Sequence, residues 1–389
     1  MRTYLRWLLG ITLYVACAEF AFLAFIQNPG NPDSFEKARL PDLVAGTAHR
    51  PFVYRALLPM TVRAILAVMP ERAEARLDVW AREYGPLREL LEATPAPDER
   101  YPAMYLVAYT LEWASLIGFA LVLRAAIVGL YAAGPWAAIL VPPGALLCLP
   151  VFYRYVSYDY DFPQLFLFTL GLLLLARRNW KWFYPVLVLG AFSKETTVLL
   201  VLIHVLGHAG RMPRRTLAVH TLVPLAIIVG ARCLLQFVIF PDNPGVPAEK
   251  WWLRNWDMIS NPRRWGFLFF HFAWVGRTAL VVPTNYNVLF LLLVPLVCWS
   301  WSEKPVLLRR GLWIIPVLGV LTFVMGYIDE MRDYYEAYPV VYLLISGTIC
   351  GLSAPSKSGT GSDRAGRPVR PLTAQRPSAE GAANRRGTP

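Results

Sequence analysis

Apolar residues in this chain come in long runs separated by short basic or polar segments. The runs lie at about 5–27, 103–123, 126–151, 162–176, 182–209, 216–240, 285–301, 311–327 and 337–353. A helix that crosses a bilayer needs about 20 apolar residues, and most of the runs reach that length. The pattern predicts an all-α polytopic membrane protein with about ten transmembrane or re-entrant helices. The first run follows Arg2 and Arg6 and is too long for the core of a cleavable leader, so it reads as an uncleaved helix.

Lysine and arginine in the short gaps set the orientation, because cytoplasmic loops carry the excess of both. Arg2 and Arg6, Arg124, the Arg177-Arg178-Lys181 group, the Arg211-Arg214-Arg215 group and the Lys304-Arg309-Arg310 group all go inside. Both termini are then cytoplasmic. The run at 182–209 has basic loops on both sides, so it must cross an even number of times. Its midpoint is Ser193-Lys194-Glu195-Thr196. Each half is about 12 residues, roughly 18 Å of helix and short of a 30 Å core. A re-entrant or tilted hairpin with Lys194 and Glu195 at its tip is expected.

This topology places residues 28–102, 152–161, 193–196, 241–284 and 328–336 on the outer face, where every dense polar cluster except the tail falls. Within the first outer loop, Arg55–Met69 is amphipathic, and Glu71–Ala93 carries Leu77, Trp80, Tyr84, Leu87 and Leu91 at alternating spacings of three and four. That spacing puts one apolar stripe on a helix. Both stretches are predicted to lie along the membrane interface, and a similar helix is expected at about 264–277.

Composition fits this picture. The chain is 56% hydrophobic and 16% charged, against about a quarter charged in soluble domains. The net charge of +12 lies largely in the inter-helix loops and the tail. Past Ser353 there are seven basic residues against two acidic ones. Such a distribution suits anionic lipid rather than nucleic acid, which requires a basic face on a soluble module. The chain divides into a helical domain, 1–353, and a basic tail, 354–389, whose Gly, Ser, Pro and Arg content predicts disorder on the cytoplasmic side. Five cysteines sit singly within apolar stretches, without the spacing of a metal site.

Several ionisable groups are candidates for chemistry. Asp33, just past the first helix, is placed to act as general base for an incoming hydroxyl, with Glu36 nearby. Asp159 and Asp161, in YRYVSYDYDFPQ, point the same way if the chain there is extended, and would then suit Mg²⁺ or Mn²⁺. Lys194 and Glu195 interrupt an apolar run, where ionisable groups are costly and are functional candidates by default. Asp329, Glu330, Arg332, Asp333 and Glu336 are expected to open the last helix, where a plain ion-pair network accounts for them as well as substrate binding does. Arg50 and Arg55, in HRPFVYR, suit either phosphate or lipid headgroups. Arg232 lies inside the 216–240 run, and Glu19 and Glu112 lie within the first two helices.

The acid after helix one, the two interfacial helices, and the segments AFSKETTVLL, YDYDFPQL and EMRDYYEAYP together resemble the C-type glycosyltransferase superfamily over residues 1–353. The resemblance implies a multi-helix enzyme of the plasma (inner) membrane. Such an enzyme moves a sugar from a polyprenyl-phosphate carrier to a lipid, glycan or protein acceptor on the extracytoplasmic side. In that scheme Asp33 deprotonates the acceptor, and Asp159 and Asp161 hold a divalent cation. Lys194, Arg50 or Arg55 meets the phosphate, and Glu195, Glu330 and Arg332 complete the substrate site. Two other readings remain open: a transporter or flippase of a lipid-linked or anionic solute, and a non-enzymatic membrane assembly factor.

Overall fold

The computed structural model describes residues 2–26, 35–83, 88–89, 92, 102–153, 158–261, 270–275, 278–283, 293–328 and 330–353. Apart from one β-hairpin these are helical or in turns. Asp33, Asp329 and the tail lie outside the described residues.

The first helix, α1, is Arg2–Ile26, followed by a short α2, Leu40–Ala45. The two amphipathic stretches form α3, Leu57–Val68, and α4, Glu71–Glu83. The runs at 103–123 and 126–151 divide elsewhere than expected. One helix, α5, covers Pro102–Tyr131, and α6 covers Pro135–Leu147. Arg124 therefore stays within α5, its guanidinium 4.1 Å from the Trp7 ring. The physical reason is local. Nothing near Arg124 breaks a helix, whereas Ala132 adopts φ 47° and Gly134-Pro135 supplies an extended residue followed by a proline at the first helical position.

Helix α7, Asp161–Ala176, runs beside α5. Helix α8, Trp180–Ser193, then stops at Lys194, whose backbone is extended (φ −159°, ψ 142°). After a single turn at Glu195–Val198, α9, Leu199–His208, folds back along α8, so that the rings of His204 and His208 reach Trp180 at the start of α8. The two arms, 14 and 10 residues long, are each shorter than a bilayer crossing. Helix α10, Arg214–Cys233, continues as a wider turn to Ile239. Then come α11, Trp252–Ser260, and two antiparallel strands, β1 (Phe270–Val275) and β2 (Thr278–Pro283). Strand β1 occupies the described part, 270–275, of the stretch expected to be helical at about 264–277; the rest of that stretch lies outside the described residues. Aromatic and β-branched residues on alternate positions favour a pleated ribbon over a helix. A helical stretch at 293–298 precedes α12 (Val306–Gly311), α13 (Ile314–Met325) and α14 (Tyr338–Ser353).

Five of the described helical segments are long and apolar enough to cross a membrane: Tyr4–Ile26, Pro102–Tyr131, Pro135–Tyr153, Arg214–Ile239 and Val306–Met325. Shorter apolar helices such as α7, α9 and α14 pack among them. The protein is thus membrane-embedded and helical, with five segments of full crossing length among the described residues.

In a bilayer each backbone polar group needs a partner inside the protein. Helix α6 contains Pro142, which lacks an N–H, so the carbonyl of Ala138 four residues earlier has no partner within its own helix. The hydroxyl of Tyr14, on α1, donates to that carbonyl at 2.9 Å. A comparable role falls to Lys304. Its ammonium is buried and lies within 2.7–2.9 Å of the carbonyls of Leu296, Val297 and Leu344 and the Thr348 hydroxyl. It is a cap joining two helices rather than a free loop charge. Arg310 likewise donates to Leu206 and Ala209 at the end of α9.

Tyr14→Phe leaves the Ala138 carbonyl without a donor in apolar surroundings, at an expected loss of about 1–3 kcal/mol of stability. Thermal unfolding in lipid nanodiscs measures it. In a Pro142→Ala background, where residue 142 regains an N–H, the same change should cost distinctly less.

Candidate functional site

The chain has a sharp turn at Tyr158–Asp161. The Asp161 amide donates to the Tyr158 carbonyl at 2.9 Å, and the Tyr158 amide donates back to the Asp161 carboxylate at 3.0 Å. This turn starts α7 and buries Asp161 at the helix N-terminus, where a negative charge is favoured. It also corrects the expectation for the acid pair. Residues 159–160 are in a turn rather than a strand, so the basis for Asp159 and Asp161 facing one way is absent. Asp159 is buried as well.

Around Asp161 the structure gathers charges from three distant segments. Lys194, at the hairpin tip, lies 3.7 Å from Asp161 and 3.4 Å from Glu336. Arg332 lies 3.9 Å from Asp161 and 2.9 Å from Glu330. The Thr196 hydroxyl bonds to Glu336. All five ionisable groups are buried and alternate in sign: Glu330, Arg332, Asp161, Lys194, Glu336. The acidic segment does not open the last helix as expected. Met331–Tyr334 form a tight 3₁₀ turn ahead of α14, and that turn sends Arg332 to Asp161 while Glu336 reaches Lys194.

Adjacent residues at the tip go separate ways. Glu195 turns from Lys194 to meet Arg55 at 3.0 Å. Arg55 also donates to the Tyr160 hydroxyl and lies over the Tyr160 ring. Glu195 itself is exposed, with 42% of its side-chain surface accessible. Tyrosines line the same region: Arg332 lies 4.2 Å from the Tyr158 ring, Arg232 lies 4.3 Å from the Tyr54 ring, and Tyr158 stacks on Tyr160. Burial works against the charge of Arg55 and of Arg332, but their carboxylate neighbours, Glu195 for the first and Glu330 with Asp161 for the second, hold both guanidinium groups above the ordinary range. Burial also raises the Glu330 carboxyl above the usual carboxylate range, against the pull of Arg332 and with Asp333 adding to the rise.

Of the residues singled out from sequence, Asp161, Lys194, Glu330 and Arg332 therefore meet directly, and Arg55 and Glu195 form an adjoining pair. Arg50 is held apart by its backbone, which pairs with Pro244 and Gly245, and its Nε is buried without a hydrogen-bond partner among the described residues. Glu336, of the same acidic segment as Glu330 and Arg332, joins the cluster through Lys194, and Arg232 from the 216–240 run reaches its edge at the Tyr54 ring. Asp33 lies outside the described residues. Phe35, two positions later, packs against Phe52 and Tyr158 at the cluster's rim.

Among the described residues no group of three or more His, Cys, Asp or Glu side chains is arranged to hold a metal ion. Asp161 faces two protein cations and accepts a backbone N–H, and its Oδ1 is buried without a hydrogen-bond partner among the described residues.

Breaking a buried pair on one side is strongly destabilising, because the remaining charge stays buried. Lys194→Met should lower stability by about 3–5 kcal/mol, read by thermal unfolding in nanodiscs, and adding Glu336→Gln should recover part of the loss. Compared with family models, curated proteins and solved structures, the chain matches none.

Proposed function

We propose that the protein is a membrane glycosyltransferase of the C type. In this reading it moves a sugar from a polyprenyl-phosphate carrier to a lipid, glycan or protein acceptor at the extracytoplasmic face of the plasma membrane, with both termini cytoplasmic. One observation carries the reading. Ionisable groups from the 158–161 turn, the hairpin tip and the 330–336 turn converge on one buried cluster beside the exposed Glu195 and its Arg55 partner, at the end of the bundle where α7 and α14 begin. A lipid-linked sugar phosphate has an apolar tail, an anionic link and a hydroxylated head, and such a cluster among apolar helices offers a surface for each.

The charges suggest a division of labour. Asp161, Glu330 and Glu336 outnumber Lys194 and Arg332, so this side of the cluster repels a phosphate and suits sugar hydroxyls. Lys194, flanked by two carboxylates, is poorly placed for the anion. Arg55, with Arg232 on the same side as Glu195, is the better phosphate contact, because guanidinium groups present several donors at once. Asp33 remains the proposed base for the acceptor, and Phe35 at the cluster's rim supports that placement.

A transporter of the same lipid-linked anion is the second reading, favoured by the interrupted α8–α9 hairpin and its buried lysine. Reconstitution with polyprenyl-phosphate-linked sugar and measurement of released polyprenyl phosphate separates the two. Asp33→Ala should abolish transfer while the protein still inserts, and Arg55→Ala should lower transfer by about a hundredfold. Full activity in Asp33→Ala removes that residue from the role. Movement of labelled donor into sealed vesicles without a new covalent product establishes the transporter instead. Silent single changes at Asp33, Asp159 and Lys194 point to an assembly factor.

A further inference from the structure

Helix α11 is short and amphipathic, and its one buried residue, Asn255, joins it to the end of α13. Asn255 is 1% exposed. Its amide nitrogen donates to the carbonyls of Thr322, Phe323 and Gly326 at 3.2, 2.8 and 2.7 Å, and its oxygen accepts from the Ile328 amide at 3.2 Å. The Trp251 amide adds a bond of 2.8 Å to the Val324 carbonyl. The Phe323 and Val324 carbonyls belong to the last turn of α13, where intrahelical donors run out, while the Thr322 carbonyl also accepts the Gly326 amide. One asparagine thus caps α13 and seats α11 across its end.

The face of α11 beside this contact is apolar. Trp252, Trp256 and Ile259 follow one another at spacings of four and three, so they share one stripe, with Leu253 beside it. All four are exposed, Trp256 at 62% and Leu253 at 65%. Arg254 occupies the other flank, over the rings of Trp251 and Tyr327.

The position of α11 indicates what covers the stripe. Helix α13 ends the apolar segment Val306–Met325, whose 20 residues make it one of the candidate membrane spans. At 1.5 Å per residue such a segment matches the hydrocarbon thickness, so its capped end lies at the bilayer surface. Tryptophan is enriched at that depth, and amphipathic helices with tryptophan on the apolar face lie in that plane.

We propose that α11 is an interfacial anchor that binds the phospholipid surface through Trp252, Trp256 and Ile259. Through Asn255 it sets the depth of the segment that starts at Ile328 and carries Glu330 and Arg332. The proposal is independent of the transferase reading.

The test places a nitroxide at residue 256 by Trp256→Cys, and in a second protein at residue 257 by Asp257→Cys. Both use a chain whose five native cysteines are replaced, in phosphatidylcholine–phosphatidylglycerol nanodiscs. The label at 256 should be relaxed more by oxygen than by a water-soluble nickel chelate, and the label at 257 the reverse. Greater nickel access at 256 would place the stripe in water, and access by neither reagent would place it against protein, such as a second copy of this chain. Either result overturns the proposal. A second measurement needs no cysteine changes. Lipids brominated near the headgroup should quench the native protein's fluorescence more than that of a Trp252→Phe/Trp256→Phe variant, and equal fractional quenching contradicts the anchor.

Discussion

Asp161 is the group on which the interior arrangement turns. It starts α7, accepts a backbone N–H from its own turn, and faces Lys194 and Arg332 from two segments far away in the chain. Each ion had to leave water, a cost of several kcal/mol that attraction recovers only when further partners are in place. Here each cation has two carboxylate neighbours, and the 158–161 turn, the hairpin tip and the 330–336 turn must all be in position together. The network therefore specifies which segments meet more than it adds net stability, while apolar packing of α5, α7 and their neighbours supplies the bulk of the cohesion.

The second constraint is the bilayer, which accepts no unpaired backbone group. Tyr14 on the proline-disrupted α6, Lys304 on two helix ends and Asn255 on the end of α13 all answer it. Each is a polar side chain inside an apolar protein, and each directs its donors at backbone carbonyls. Such residues look like functional candidates in a hydropathy profile. Their buried, carbonyl-directed hydrogen bonding distinguishes them from Glu195, whose exposed carboxylate meets Arg55.

Sequence alone settled the class of protein and the places where charge interrupts oil. The runs mark α1, α7, α10 and α14 to within a few residues, because a bilayer solvent imposes a long apolar period that no soluble fold needs. The break at Ser193-Lys194-Glu195-Thr196 also appears in the sequence, since short arms between basic loops leave the chain no way to cross once. What the sequence could not hold was partnership. Whether Lys194 pairs with its neighbour Glu195 or with Asp161, whether Arg332 sits on a helix or in a turn before it, and which carbonyl Asn255 caps are fixed by contacts between segments up to about 170 residues apart. Desolvation makes those contacts obligatory, and only the folded arrangement determines which charge answers which.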